Sequence, residues 1–202
     1  MDGVNNMLGF CKNIQIGRRE ISEKEKTFII AEAGVNHNGD MNIAKKMIDV
    51  AADAGVDAVK FQTFKTDQLI LKNIEKAPYQ KLTTNSSESQ YKMLKRLEMT
   101  REQTAELLDY CNKKKIIFLS TPFEKVSLDE LDELGVWAFK IAATDLTNIQ
   151  FLRQTAKKGK PIILSAGMCY LEEVRRALEA IYPINKDLIL LQCTANYPIL
   201  NE

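Results

Sequence analysis

Phe28-Ile29-Ile30-Ala31-Glu32-Ala33-Gly34-Val35-Asn36-His37-Asn38-Gly39-Asp40 joins a strand, a turn and a helix start in one stretch. The apolar run ends in a carboxylate, Glu32, and polar, turn-favouring residues follow from Asn36 to Asp40. Asp40 can cap a helix whose apolar stripe is Ala44, Met47, Ile48 and Ala51, with Gly55 at its end. Reactive side chains therefore emerge where a buried strand leaves the core, which is where α/β enzymes keep their chemistry.

The same pattern repeats outward from this stretch. Short runs rich in β-branched residues at 28–31, 58–61, 116–119, 138–141, 161–164 and 188–191 read as strands buried on both faces. Amphipathic stretches lie between them. Thr100 with Gln103, Ser127 with Glu130, and Thr147 with Gln150 fit the capping box, and Gly159 before Pro161 stops a helix. Alternating strand and helix means parallel strands joined by right-handed crossovers.

A doubly wound sheet gathers its functional residues at one switch point. Here polar groups end nearly every run: Glu32, Lys60 and Gln62, Ser120 and Thr121, Lys140, Ser165, then Gln192 and Thr194. That distribution favours an α/β fold of the (β/α)8 TIM barrel type, of which this chain supplies about six βα units. Six units cannot close such a barrel, so the expected organisation is an N-terminal segment at 1–26 and an incomplete barrel at 27–202. The long insertion 63–100 is expected to form an active-site loop with a short helix at 89–97.

Composition excludes several classes. With 202 residues, 45% of them hydrophobic, and a formal charge of +1, the chain can bury a sizeable core and has no charge excess suited to nucleic acid. No membrane span and no signal peptide can be read from it. Cys11, Cys111, Cys169 and Cys193 are scattered and His37 is the single histidine, so reduced thiols in a cytoplasmic protein are expected, without zinc site or disulfide framework. The Lys113-Lys114-Lys115 run reads as a solvated helix end. No G-x-G-x-x-G follows a strand and no Walker loop is present.

Lys60 and Lys140 are lone ammonium groups inside apolar runs, Ala-Val-Lys-Phe-Gln and Ala-Phe-Lys-Ile-Ala. Buried lysine is rare unless paired. Either a neighbouring carboxylate such as Glu32 satisfies them, or both await an anionic ligand; the lack of partners nearby in sequence favours the second. Ser120-Thr121-Pro122 and Ser165-Ala166-Gly167 add hydroxyls and small residues through which backbone amides approach a phosphate. Glu32 and Asp145 are the carboxylates best placed to act on a substrate. His37 serves either turn hydrogen bonding or catalysis.

Taken as a series, Ala31-Glu-Ala-Gly-Val-Asn-His-Asn-Gly, Asp57-Ala-Val-Lys-Phe-Gln, Phe118-Leu-Ser-Thr-Pro-Phe, Phe139-Lys-Ile-Ala, Gly159-Lys-Pro-Ile-Ile-Leu-Ser-Ala-Gly-Met and Gln192-Cys-Thr-Ala-Asn-Tyr-Pro resemble the N-terminal three-fifths of a sialic acid synthase. The resemblance implies condensation of phosphoenolpyruvate with an N-acetylated hexosamine such as N-acetylmannosamine, giving a nonulosonate and phosphate. It implies Lys60, Thr121, Lys140 and Ser165 as ligands of phosphoenolpyruvate. Gln62, Asp145 and Tyr197 would face the sugar, with Glu32 helping in proton handling. A divalent metal, manganese or magnesium, would polarise the aldehyde. The family's metal-binding histidines and antifreeze-like domain are expected beyond Glu202, so the chain is expected to be inactive as it stands and a homodimer when full length. Ala143 stands where many relatives have Ser, and Asp145 where many have Glu, which leaves the sugar open. The alternatives are a Schiff-base aldolase using Lys140 and a non-catalytic truncated barrel acting as a binding module.

Overall fold

Short apolar runs form the parallel strands here, with helices between them in sequence. The computed structural model describes residues 9–72 and 88–194. In chain order, β1 (Ile14–Ile16) and β2 (Arg19–Ile21) precede β3 (Ile30–Gly34), α1 (Met41–Asp53), β4 (Ala58–Thr63), α2 (Thr66–Leu69), α3 (Gln90–Leu97) and α4 (Arg101–Lys114). Then come β5 (Ile117–Pro122), α5 (Lys125–Glu133), β6 (Phe139–Ile141), a 3₁₀ turn (Ala143–Asp145), α6 (Ile149–Ala156), β7 (Ile162–Ala166), α7 (Leu171–Ile181) and β8 (Leu188–Gln192). The chain divides into two compact units, Ile30–Leu134, and Met1–Ile29 together with Gly135–Glu202.

In the unit Ile30–Leu134, β3, β4 and β5 form a parallel sheet in that order. Phe61 stacks on Phe118 with ring centroids 5.7 Å apart, and Ile48, Leu107, Leu119, Leu128 and Leu131 are fully buried with it. Phe64, Met93 and Leu97 make a smaller cluster beneath α2 and α3, closed by Phe123. In the other unit, β6, β7 and β8 form a second parallel sheet, with Phe139, Ile141, Leu146, Leu152, Leu164 and Ile181 buried. The same unit carries the antiparallel β1–β2 hairpin, in which Ile14 and Ile16 are buried and Gln15 is exposed.

The six expected strands are present, with shifted ends. The first moves furthest. It runs over Ile30–Gly34 rather than 28–31, so Glu32 lies within the strand and not at its end. A register irregularity between Glu32 and Gly34 interrupts its pairing with β4. Asp40 caps α1 as expected, its carboxylate accepting from the amides of Asn42 and Ile43 at 2.7 and 3.3 Å. Thr100 and Gln103 close a reciprocal capping box on α4, and Ser89 caps α3. Two expected caps are displaced. Glu124, not Ser127, caps α5, and it accepts from the Val126 and Ser127 amides, which puts Ser127 inside the first turn. Asn148, not Thr147, caps α6 by accepting from the Phe151 amide at 3.2 Å. A carboxylate or amide can reach the free amides from those positions, so the Ser/Thr pattern nearby is incidental. The hairpin at 14–21 was not anticipated, because three-residue strands carry too little alternation to read.

Thr100→Ala removes one side of the α4 capping box and is expected to lower stability by about 1 kcal/mol in urea unfolding. An unchanged midpoint would contradict the cap's role.

Candidate active site

Parallel pairing places Glu32 directly opposite Lys60 on the neighbouring strand. Their side chains meet in an ion pair, Lys60 Nζ to Glu32 Oε2 at 2.5 Å. Lys60, 9% exposed, also donates to Thr121 Oγ1 at 3.4 Å from β5, where Gln62 and Thr121 are register partners. The expectation of a Lys60 without a protein partner is therefore corrected: a carboxylate one strand away satisfies it. A Cβ at Gly34 would lie 3.1 Å from Glu32 Oε1 and 3.6 Å from Gln62 Nε2, so a side chain there would press on Glu32 and touch Gln62 at ordinary contact distance. Ser120 and Thr63 share a buried hydroxyl pair at 2.7 Å. Glu32, Lys60, Gln62 and Thr121 thus gather in the unit Ile30–Leu134.

The second cluster lies in the other unit. Lys140 and Ser165 are 7% and 6% exposed, and Lys140 Nζ donates to Ser165 Oγ at 2.5 Å and to the Ile141 carbonyl at 2.8 Å. Cys193, just past β8, has its Sγ 3.2 Å from the same Ser165 oxygen. Sequence reasoning treated Cys193 only as a scattered thiol; its place beside Ser165 follows from β7–β8 register, which no local pattern encodes. Asp145 ends the 3₁₀ turn after β6, and its buried Oδ2 has no hydrogen-bond partner among the described residues. Burial pushes its carboxyl up to about 6, with a hydrogen bond from Thr144 acting the other way. Strongly desolvated carboxyls cluster at functional sites. Tyr197 lies outside the described residues.

His37 is fully buried in the turn after β3. Its Nδ1 accepts from the Gly39 amide at 3.1 Å, so the neutral ring carries its proton on Nε2, which has no partner among the described residues. Burial holds its pKa below the usual 6.5. Among the described residues no three His, Cys, Asp or Glu groups converge to hold a metal.

The NeuB family matches residues 47–202. This chain belongs to the NeuB family. It is 48% identical over 176 residues to the N,N'-diacetyllegionaminic acid synthase of Legionella pneumophila, covering 85% of this chain and 49% of that protein. Against the N-acetylneuraminate-9-phosphate synthase of Mus musculus the identity is 33%, covering 91% of this chain and 51% of that protein. The crystal structure of the N-acetylneuraminic acid synthetase from Leptospira borgpetersenii, in complex with citrate, superposes with a TM-score of 0.82 at 34% identity, covering 95% of this chain and 62% of that one. A truncated 3-deoxy-D-arabino-heptulosonate 7-phosphate synthase from Thermotoga maritima, 15% identical with a TM-score of 0.65, shares the fold. The fold class is α/β of the (β/α)8 TIM barrel type, to which this NeuB chain supplies about six βα units. The chain spans about half the length of the relatives it matches. No helix among the described residues is long and apolar enough to cross a membrane.

The two perturbed groups have opposite pH signatures. His37 binds its proton less readily folded than unfolded, so its contribution is present above pH 6.5 and is lost as pH falls below it. Wild type is expected to lose more stability than His37→Asn between pH 7 and pH 5. Asp145 binds its proton more readily folded, so its contribution is present below 3.8 and is lost as pH rises through about 6. Asp145→Asn is therefore expected to gain on wild type by roughly 1 kcal/mol, a figure discounted for solvent, as pH rises from 4 to 8. Urea unfolding across this range checks both, and parallel pH curves for variants and wild type would contradict the assignments.

Proposed function

We propose that this chain forms the N-terminal part of the barrel of a phosphoenolpyruvate-dependent nonulosonate synthase, a C–C bond-forming transferase. The observation that carries the reading is that each buried strand lysine reaches a buried hydroxyl on the next strand, Lys60 to Thr121 and Lys140 to Ser165. A cation beside a hydroxyl donor suits a phosphorylated carboxylic acid. The higher identity to proteins named N,N'-diacetyllegionaminic acid synthase than to N-acetylneuraminate-9-phosphate synthases supports a di-N-acetylated sugar as acceptor.

In this reading, C3 of phosphoenolpyruvate attacks the sugar aldehyde, water adds at C2, and C–O cleavage releases phosphate. Lys60, Thr121, Lys140 and Ser165 hold the phosphoenolpyruvate. Gln62, Asp145 and Tyr197 face the sugar, and Glu32, already bonded to Lys60, orients it and handles a proton. A divalent metal, manganese or magnesium, would polarise the sugar aldehyde as a Lewis acid. The remaining parts of the proposal are a segment at 1–26, an incomplete barrel at 27–202, a cytoplasmic location, a homodimer in the full-length protein, and no turnover by the 202-residue chain alone.

Phosphate release from phosphoenolpyruvate and the di-N-acetylated sugar tests this in the chain extended to full family length. Lys60→Ala and Lys140→Ala are each expected to lower kcat/KM by about a hundredfold or more. Wild-type rates in both variants would overturn the reading, as would a borohydride-trapped pyruvate adduct on Lys140. Turnover by the 202-residue chain alone would contradict the proposed dependence on the rest of the protein.

A further inference from the structure

We propose that Cys193 is a positioning residue: its thiol fixes the rotor of Ser165 so that the serine hydroxyl points its proton at an incoming anion. This rests on the reading of Lys140 and Ser165 as anion ligands, and it adds a residue that this reading does not use.

A serine hydroxyl has one proton to give and two lone pairs to accept with. At Ser165 Oγ, Lys140 Nζ donates from 2.5 Å and Cys193 Sγ lies at 3.2 Å. The sulfur is also 3.8 Å from the Leu191 carbonyl, near the outer limit for a thiol hydrogen bond, so its single proton goes to Ser165. With both lone pairs engaged, the capacity left at Ser165 is donation, and at 6% exposure bulk water does not consume it. Donors set in advance toward an anion cost no reorganisation when it arrives.

The backbone holds the sulfur in place. The Cys193 amide donates to the Ala166 carbonyl at 3.0 Å. A Cβ at Gly167 would sit 3.0 Å from the Cys193 carbonyl oxygen and 3.4 Å from its Cβ, so any side chain there would drive Cys193 away from Ser165. Ala143, whose Cβ would be 3.6 Å from the same point, offers no hydroxyl as a substitute.

The opposite arrangement, Ser165 donating to sulfur and the thiol to Leu191, predicts the opposite result, which makes the test sharp. Phosphoenolpyruvate binding to the 202-residue chain is titrated by NMR for wild type, Cys193→Ala and Cys193→Ser. Loss of the thiol is expected to raise Kd about fivefold, the worth of one neutral hydrogen bond, while the serine variant keeps a donor and stays near wild type. Unchanged or tighter binding by Cys193→Ala overturns the inference. The infrared S–H stretch of Cys193, identified by its loss in Cys193→Ala, needs no ligand. It is expected to lie below the free-thiol frequency and to move upward in Ser165→Ala. If wild type fails to bind phosphoenolpyruvate, the anion-ligand reading falls. The band then decides the contact, and a band unmoved in Ser165→Ala overturns it.

Discussion

A lysine ammonium inside a parallel strand must be paired, and the Glu32–Lys60 contact is how this chain meets that requirement. Stripping water from an unpaired ammonium costs several kcal/mol, more than most single interactions in a domain supply. The pair therefore fixes more than a side chain. It demands that Glu32 lie opposite Lys60 across β3 and β4, and that Gly34 stay free of a side chain that would press on Glu32. Phe61, next to Lys60, then points to the opposite face, where it stacks on Phe118 in the core. One residue of slip would reverse both, burying Gln62 or exposing an aromatic ring.

The second lysine is satisfied differently. Lys140 bonds the carbonyl of Ile141 and the hydroxyl of Ser165, both neutral acceptors. Neutral acceptors compensate a charge less fully than a carboxylate does. Lys140 pairs with Ile163 across the ladder, and Ser165, two residues further along β7, lies on the same face, so strand register makes this contact too.

What the sequence revealed and what it hid separate along physical lines. Buried strands carry short, largely apolar runs, so 58–61 and 188–191 fall within observed strands, and the Asp40 and Thr100 caps read directly. Helix starts at 127 and 147 were misplaced because Glu124 and Asn148 compete for the same free amides. The site residues were legible as types at strand ends, whereas their partners were not. Glu32 finds Lys60, Lys140 finds Ser165 and Ser165 finds Cys193 through strand register, a tertiary quantity. The orphaned oxygen of Asp145 and the buried ring of His37 likewise depend on how turns pack, which residue order alone does not encode.

The most direct measurement is an NMR titration of the chain, labelled at its lysine side-chain carbons and nitrogens, with phosphoenolpyruvate. Lys60 and Lys140 are expected to shift together along one binding curve while surface lysines such as Lys113 and Lys157 stay still. Shifts spread evenly over the surface lysines, or confined to neither strand lysine, would contradict the assignment of these two cations to the substrate.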